Sequence, residues 1–334
     1  MIFLFRDVAP YHVHTFRAID RQKIKSIVYY FDARYSVPTD LVFVKFKLVN
    51  SRNLIIFDRE EILITAGYSN ILWSLTAFLH RLRGGKVKFT SDTIYNKEKL
   101  SHRLYSLIGK YIFPVIFNEI LVAGPKQAEF GRMLGFGTSQ IRLGCYSART
   151  SARYTNEILS DSVLRFIFIG RFAPEKGILE FIDIMINYSW NRNITFDLYG
   201  FGPLEEKIEM AINSNINENI ELRIMGKLNP INIDETLKKY NFLVLPSKFE
   251  PWGVVVHEAI VNGVVPLVSC HVGSGELFVS KHSNGFVFKD YEDLMTIFRR
   301  LDAITNEGFK SLSDRSILAS AEITPEIVAQ NFVT

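Results

Sequence analysis

Short apolar runs alternate with longer amphipathic segments along the whole chain, and the alternation restarts near residue 163. In the first half "MIFLFRD", "IKSIVYYF", "NLIIF", "EILITAG", "KVKFTSD" and "EILVAG" have the length and composition of strands. Between them "NILWSLTAFLHRLRG" and "KEKLSHRLYSLIGKY" carry apolar residues at spacings of three and four, the period of a helix with one buried face. The second half repeats the plan with "LRFIFIGR", "ITFDLYG", "IELRIMG", "FLVLPS" and "VVPLVSC", separated by "GILEFIDIMINY" and "PLEEKIEMAIN". Strands that each hand over to a helix pair in parallel and need cover on both faces. The pattern therefore predicts an α/β protein of two doubly wound, Rossmann-like domains, whose ligands bind beyond the carboxyl ends of the strands. The boundary is expected in the polar, weakly periodic stretch 144–162, leaving domains over 1–150 and 163–310.

Composition narrows the class. Hydrophobic residues make up 48% and charged residues 22%, the balance of a soluble globular protein. No apolar run reaches the roughly 18 residues of a membrane span. The apolar start is cut by Arg6 and Asp7, too early for a signal-peptide core. Cys145 and Cys270 lie far apart without metal-ligand spacing, which fits a reducing cytoplasm and neither a disulfide framework nor a zinc site. The net charge of +4 conceals an asymmetry. Residues 1–150 carry 22 Lys and Arg against 11 Asp and Glu, a net of +11, and the remainder is acidic, at 17 against 24. An anionic partner is expected for the first half alone. "LHRLRGGKVKF" and "KEKLSHRLYSLIGKYIFPVIF" mix cations with apolar residues and suit anionic lipid headgroups; a helix with a buried stripe and a solvated basic face is the competing reading. No helix-turn-helix, zinc or RRM-like signature points to nucleic acid.

Five stretches carry candidate chemistry. In "GRFAPEKG", residues 170–177, Arg171 and Lys176 stand between a strand end and a helix start, where a forked donor and a point charge suit a diphosphate. A solvated turn with two surface cations is the alternative. "YGFGP" is a glycine turn with Pro203 at a helix start, too short for a dinucleotide fingerprint; its glycines are expected to permit close approach by a ligand. In "FEPWGVVVHEAI" Pro251 disfavours helix at Glu250, while Gly253 and Val254 open a helix with free amides. Glu258 then falls inside that helix beside valines, where an ionised carboxylate needs a donor. A vicinal diol such as ribose offers two donors; a structural partner, or exposure beside His257, would also answer. In the first half, "RDVAPYHVHTFRAI" places Tyr11, His12 and His14 after the first strand, and "KVKFTSDT" ends a strand at Asp92. These are expected at the open end of the sheet, with turn and capping roles as the alternative.

The order "GR-x4-KG", "YGFGP", "MGKL", "LVLPSKFEPWGVVVHEAIVNGVVPLVS", "VGSGE" and "NGFVF" resembles the family-4 retaining glycosyltransferases over residues 163 to about 290, most specifically in the E-x7-E pair Glu250 and Glu258. The resemblance implies a GT-B fold, two Rossmann-like domains facing a central cleft, with residues 311–334 returning as a helix to the first domain. It implies a metal-independent, hexosyltransferase-type enzyme without cofactor, using a UDP, GDP or dTDP sugar and a saccharide or lipid-linked acceptor in cell-surface polysaccharide or lipopolysaccharide synthesis. In such enzymes Arg171 and Lys176 contact the donor diphosphate, and Glu258 holds the ribose. Glu250, Gly253 and Val254 lie near the transferred sugar, and Gly226, Lys227 and Leu228 near the base. Asp92 stands where many relatives carry a histidine, which leaves the acceptor-side catalytic group between it and Tyr11, His12 and His14. A non-catalytic nucleotide-sugar-binding subunit and a nucleotide-sugar epimerase on the same fold are the alternatives.

Overall fold

The computed structural model describes residues 1–50, 55–66, 70–96, 98–149 and 163–334. It divides into two units: Met1–Arg149 with Ile323–Thr334, and Thr150–Glu322. Most of the polar stretch expected to join the domains, from residue 150 to 162, lies outside the described residues.

The first unit is a seven-stranded parallel sheet in the order β3-β2-β1-β4-β5-β6-β7. Its strands are β1 (Ile2–Asp7), β2 (Ser26–Asp32), β3 (Val44–Leu48), β4 (Ile62–Ala66), β5 (Lys86–Ser91), β6 (Glu119–Val122) and β7 (Ile141–Leu143). Four helices connect them: α1 (Pro10–Arg21), α2 (Ile71–Leu82), α3 (Leu100–Ile116) and α4 (Pro125–Met133). Two details depart from the sequence pattern. "NLIIF" forms no strand over its described residues 55–57, and Ile56 is exposed. The third strand is instead "VKFKL", an edge strand that pairs only with β2 and buries Val44. The core stacks aromatic rings on the sheet, with Phe89 against Phe117 at 5.0 Å and both against Phe113.

The second unit is a six-stranded parallel sheet in the order β10-β9-β8-β11-β12-β13. Its strands are β8 (Val163–Ile169), β9 (Asn193–Tyr199), β10 (Ile220–Gly226), β11 (Phe242–Leu245), β12 (Val265–Ser269) and β13 (Phe286–Phe288). The helices are α5 (Ile178–Ile186), α6 (Glu205–Asn213), α7 (Ile233–Leu237), α8 (Val254–Val261), α9 (Tyr291–Asp302) and α10 (Asn306–Ala319). Phe166 on β8 stacks on Phe242 on β11 at 5.1 Å and meets Phe196 on β9 edge-on, so one ring ties three strands. The winding reverses between β8 and β11. Such a reversal is where a doubly wound sheet opens a ligand crevice.

The chain crosses back at Ile323, later than the expected residue 311. Residue 311 lies inside α10, which stays with the second unit because Phe309 packs on Phe242 and Ser313 donates to the carbonyl of Gly263 at 2.7 Å. The last helix, α11 (Pro325–Val333), belongs to the first unit. Thr324 caps it, Phe332 meets Phe3 at 5.3 Å, and the buried Lys88 ammonium donates to the carbonyl of Asn331 at 2.7 Å.

Candidate functional site

The loop after β8 makes one turn of 3-10 helix at Pro174–Lys176, then reverses at Gly177, whose φ of +63° is left-handed. A β-carbon on Gly177 would stand 2.3 Å from the carbonyl oxygen of Pro246, so the absence of a side chain lets this loop close against the one leaving β11. Backbone bonds finish the junction: the amide of Lys248 donates to the carbonyl of Glu175 at 2.8 Å. Glu250 is held from the other side, where it bridges in parallel to Val272 and accepts from the amide of Gly273 at 2.9 Å.

Two sequence candidates meet at this crossing. The Lys176 ammonium pairs with the Glu250 carboxylate, with side chains 19% and 14% exposed. Arg171 is brought close in sequence but points outward, 62% exposed and paired with Glu175. That pairing holds the guanidinium of the first loop in a defined place. Its partner, Glu175, carries no motif signal; only the i, i+4 spacing hints at it. Arg171 beside it, after a backbone hydrogen bond, holds the Glu175 carboxyl below the ordinary range.

The glycine turn after β9 is packed against its neighbouring loop. A β-carbon at Gly200 would sit 1.9 Å from the carbonyl oxygen of Gly170, and one at Gly202 would sit 2.5 Å from that of Phe172. The close approach is to the neighbouring loop, which it fixes from below. Gly226 differs: its φ is +72°, yet nothing stands within 4 Å of the position a β-carbon would take. Lys227 is exposed, with its ammonium 5.8 Å from the ring centroid of Phe201, and Leu228 is half-buried.

α8 begins at Gly253, again left-handed with φ +85°. The amides of Val254 and Val255 have no acceptor within the helix and face its start. Burial along α8 follows the helical period. Val256, His257, Ala259 and Ile260 are buried, and the stripe Val254–Val255–Glu258 is the partly open one. His257 is thus a core residue, its Nε2 3.2 Å from the carbonyl of Ser320 and its ring on Phe278. Burial depresses its imidazole to about 4.

The Glu258 carboxyl, on the open stripe, has no hydrogen bond or ion pair among the described residues. Burial, reinforced by the nearby charge of Asp234, raises it to about 7. Asn262 links the two acids through its side-chain NH2, which donates to Asp234 and to the backbone carbonyl of Glu258, each at 2.9 Å. Asp234 lies in the first turn of the five-residue α7 and had no sequence signal.

In the first unit three expected residues gather at the carboxyl end of the sheet and one does not. His12 is buried between Phe5, Tyr11 and Tyr146, and its Nδ1 accepts from the amide of Ala9 at 3.2 Å. It takes the capping role weighed for it, and burial alone lowers it to about 3. His14 lies two positions further along α1, turned away from His12 on the helix. Tyr11 packs on Tyr146 at 4.9 Å. Burial and the charge of Asp92 raise both phenols and the Cys145 thiol. Tyr146 lies within the stretch read as a linker, where an aromatic among polar residues is the only signal. Among the described residues, no group of three His, Cys, Asp or Glu side chains could hold a metal ion, and no helix is long and apolar enough to cross a membrane.

Residues 156–316 match the family model of the glycosyl transferases group 1. An uncharacterized glycosyltransferase of Methanocaldococcus jannaschii is 30% identical over 145 residues, 43% of this chain and 39% of that protein. The matches to curated relatives span 28% to 41% of those proteins' lengths. Among solved structures, Anabaena HepE in complex with UDP and glucose aligns over 99% of this chain and 98% of that one, with TM-score 0.72 and 12% identity. Sucrose-phosphate synthase of Thermosynechococcus elongatus aligns over 99% and 96%, with TM-score 0.73 and 15% identity. The fold is therefore GT-B, and the group 1 signature lies in its second unit.

Proposed function

We propose that the protein is a retaining, metal-independent glycosyltransferase of the hexosyl type. It takes its sugar from a UDP, GDP or dTDP donor and passes it to a saccharide or lipid-linked saccharide in cell-surface polysaccharide synthesis. The cytoplasmic face of the membrane is its place of work.

The observation that carries this reading is Glu258: a carboxylate on the half-open stripe of α8, pushed up by burial and given no hydrogen-bond donor by the described residues. A carboxylate so shielded from water gains from hydrogen-bond donors, and a ligand diol supplies two. The neighbouring groups fit the rest of a nucleotide sugar. Lys176 and Arg171, exchanging their partners Glu250 and Glu175 for phosphate oxygens, and the amides at the start of α8 are suited to a diphosphate leaving group. Gly226, Lys227 and Leu228 leave an open surface for the base. Glu250, held in place by Lys176 and the Val272 bridge, stands at the sugar end of that line. During transfer the anomeric carbon parts from the diphosphate oxygen and bonds to the acceptor hydroxyl oxygen on the same face, and the hydroxyl proton passes to the departing diphosphate oxygen. The charge that builds on the diphosphate is met by Lys176 and Arg171. The acceptor side is assigned to Tyr11, Tyr146 and Asp92. Support also comes from the group 1 match over the second unit and from the HepE structure solved with UDP and glucose.

Calorimetry with UDP, GDP and dTDP, followed by a donor-hydrolysis assay, tests the proposal. One nucleotide should bind, with slow hydrolysis of its sugar, and Arg171→Ala should abolish turnover in a folded protein. Binding without hydrolysis or transfer would indicate a non-catalytic binding module, and unchanged turnover in Arg171→Ala would refute the site.

A further inference from the structure

The outer face of α3 is apolar and unused by the fold. Leu100, Leu104, Leu107, Tyr111 and Val115 recur at helical spacing, and with Ile108 and Ile112 beside them they are 47% to 77% exposed. The opposite side of the same helix is packed normally. His102 stacks on Phe130, Phe113 meets Phe89 and Phe117, and a β-carbon on Gly109 would crowd Phe113 and Leu134. The exposed stripe therefore lies outside the core. Soluble proteins rarely leave so long an apolar stripe in water.

The charges around the stripe choose its partner. α3 contains no acidic residue. At 100° per residue the exposed Arg103 and Lys110 fall on one flank of the apolar arc. Lys110 also stands 4.9 Å from the ring centroid of Tyr111. The half of the chain that contains this helix has the net charge of +11. Neighbouring α2, which packs beside α3, adds the exposed Ile71, Leu75 and Leu82 on one stripe of its own. A second copy of the chain would set this basic flank against itself. A bilayer with acidic headgroups satisfies both features together.

We infer that the outer face of α3 is a membrane-docking surface: Leu104, Leu107, Tyr111 and Val115 enter the boundary between headgroups and acyl chains, and Arg103 and Lys110 meet lipid phosphates. The helix lies in the plane of the interface and does not cross it. The inference deepens the proposed use of a lipid-linked acceptor, and its test is run without nucleotide, so that failed docking and failed transfer are told apart.

The intact chain is sedimented with vesicles of phosphatidylcholine alone or mixed with phosphatidylglycerol. It should bind the mixed vesicles, less at high salt. Leu107→Asp with Tyr111→Asp should weaken that binding by about a hundredfold. Arg103→Gln with Lys110→Gln should lower the preference for anionic over neutral vesicles by about thirtyfold. All four positions are exposed, so melting temperatures should stay at the wild-type value. A wild-type chain that ignores anionic vesicles, or a Leu107→Asp, Tyr111→Asp variant that binds them as well as wild type, overturns the inference. So does self-association in ultracentrifugation that the same variants abolish, which would give the face to a second copy.

Discussion

Glu258→Gln separates the cost of an acid in α8 from its use. The carboxyl is raised from 4.5 to about 7, so the folded state holds a proton that the unfolded state has released across that interval. A raised pKa means stability that is full below pH 4.5 and lost as pH climbs through 7. Integrated over the interval, the loss is about 3 kcal/mol for a group this little exposed. The amide cannot ionise, so the variant should lack this slope and should outlast wild type in urea at pH 8. Ligand binding should move the other way. A diol that donates to the ionised carboxylate makes charge-assisted bonds, and their loss to a neutral amide costs about 2 kcal/mol, near thirtyfold in affinity. The wild-type protein should also expel about three-quarters of a proton when it binds nucleotide at pH 6.5 and almost none at pH 8.5. Calorimetry in two buffers of different ionisation enthalpy reads that number directly. A variant with the wild-type stability slope, or nucleotide binding without proton release at pH 6.5, would refute the reasoning.

The two buried histidines act in the opposite direction. His12 and His257 are lowered to about 3 and about 4, so the stability they support is present above pH 6.5 and is lost as pH falls below it, by about 2 kcal/mol each at pH 5. Urea titrations of His12→Asn and His257→Asn should show a shallower acid limb; an unchanged limb would assign acid unfolding elsewhere. Gly177→Ala and Gly226→Ala both place a β-carbon at positive φ, but only the first meets an atom, the carbonyl oxygen of Pro246 at 2.3 Å. The first should cost about 3 kcal/mol and the second about 1 kcal/mol by denaturant midpoint, and equal losses would contradict the close approach of the two loops.

What could be read from the residues and what could not divide along sequence distance. Glu258 was legible because its setting is local: Pro251 and Gly253 mark the helix start, and period 3.6 sorts the valines onto buried and open stripes within eight residues. The second unit's strands were legible for the same reason, each being a short run rich in apolar and β-branched residues. "VKFKL" was missed because it alternates with lysines and is short, whereas "NLIIF" is more apolar yet pairs with nothing over its described residues. Edge strands are chosen by their partner, and no property of five residues names that partner. The Lys176–Glu250 pair spans 74 positions and exists because β8 and β11 are neighbours in a sheet whose winding reverses between them.

The glycines make the same point about purpose. "YGFGP" has the composition of a ligand loop, and both glycines are required, yet the atoms that require them are the carbonyl oxygens of Gly170 and Phe172. A glycine in a turn reports that something comes near; only the fold says what. Here the nearness is between loops, and its effect is on the donor-side cations. The turn after β9 supports the loop that carries Arg171, and Gly177 brings Lys176 against Glu250. The placing of the two cations proposed for the diphosphate is therefore set by three backbone approaches that hold two side chains. Enlarging any of Gly177, Gly200 or Gly202 should disturb that placing without touching a charge.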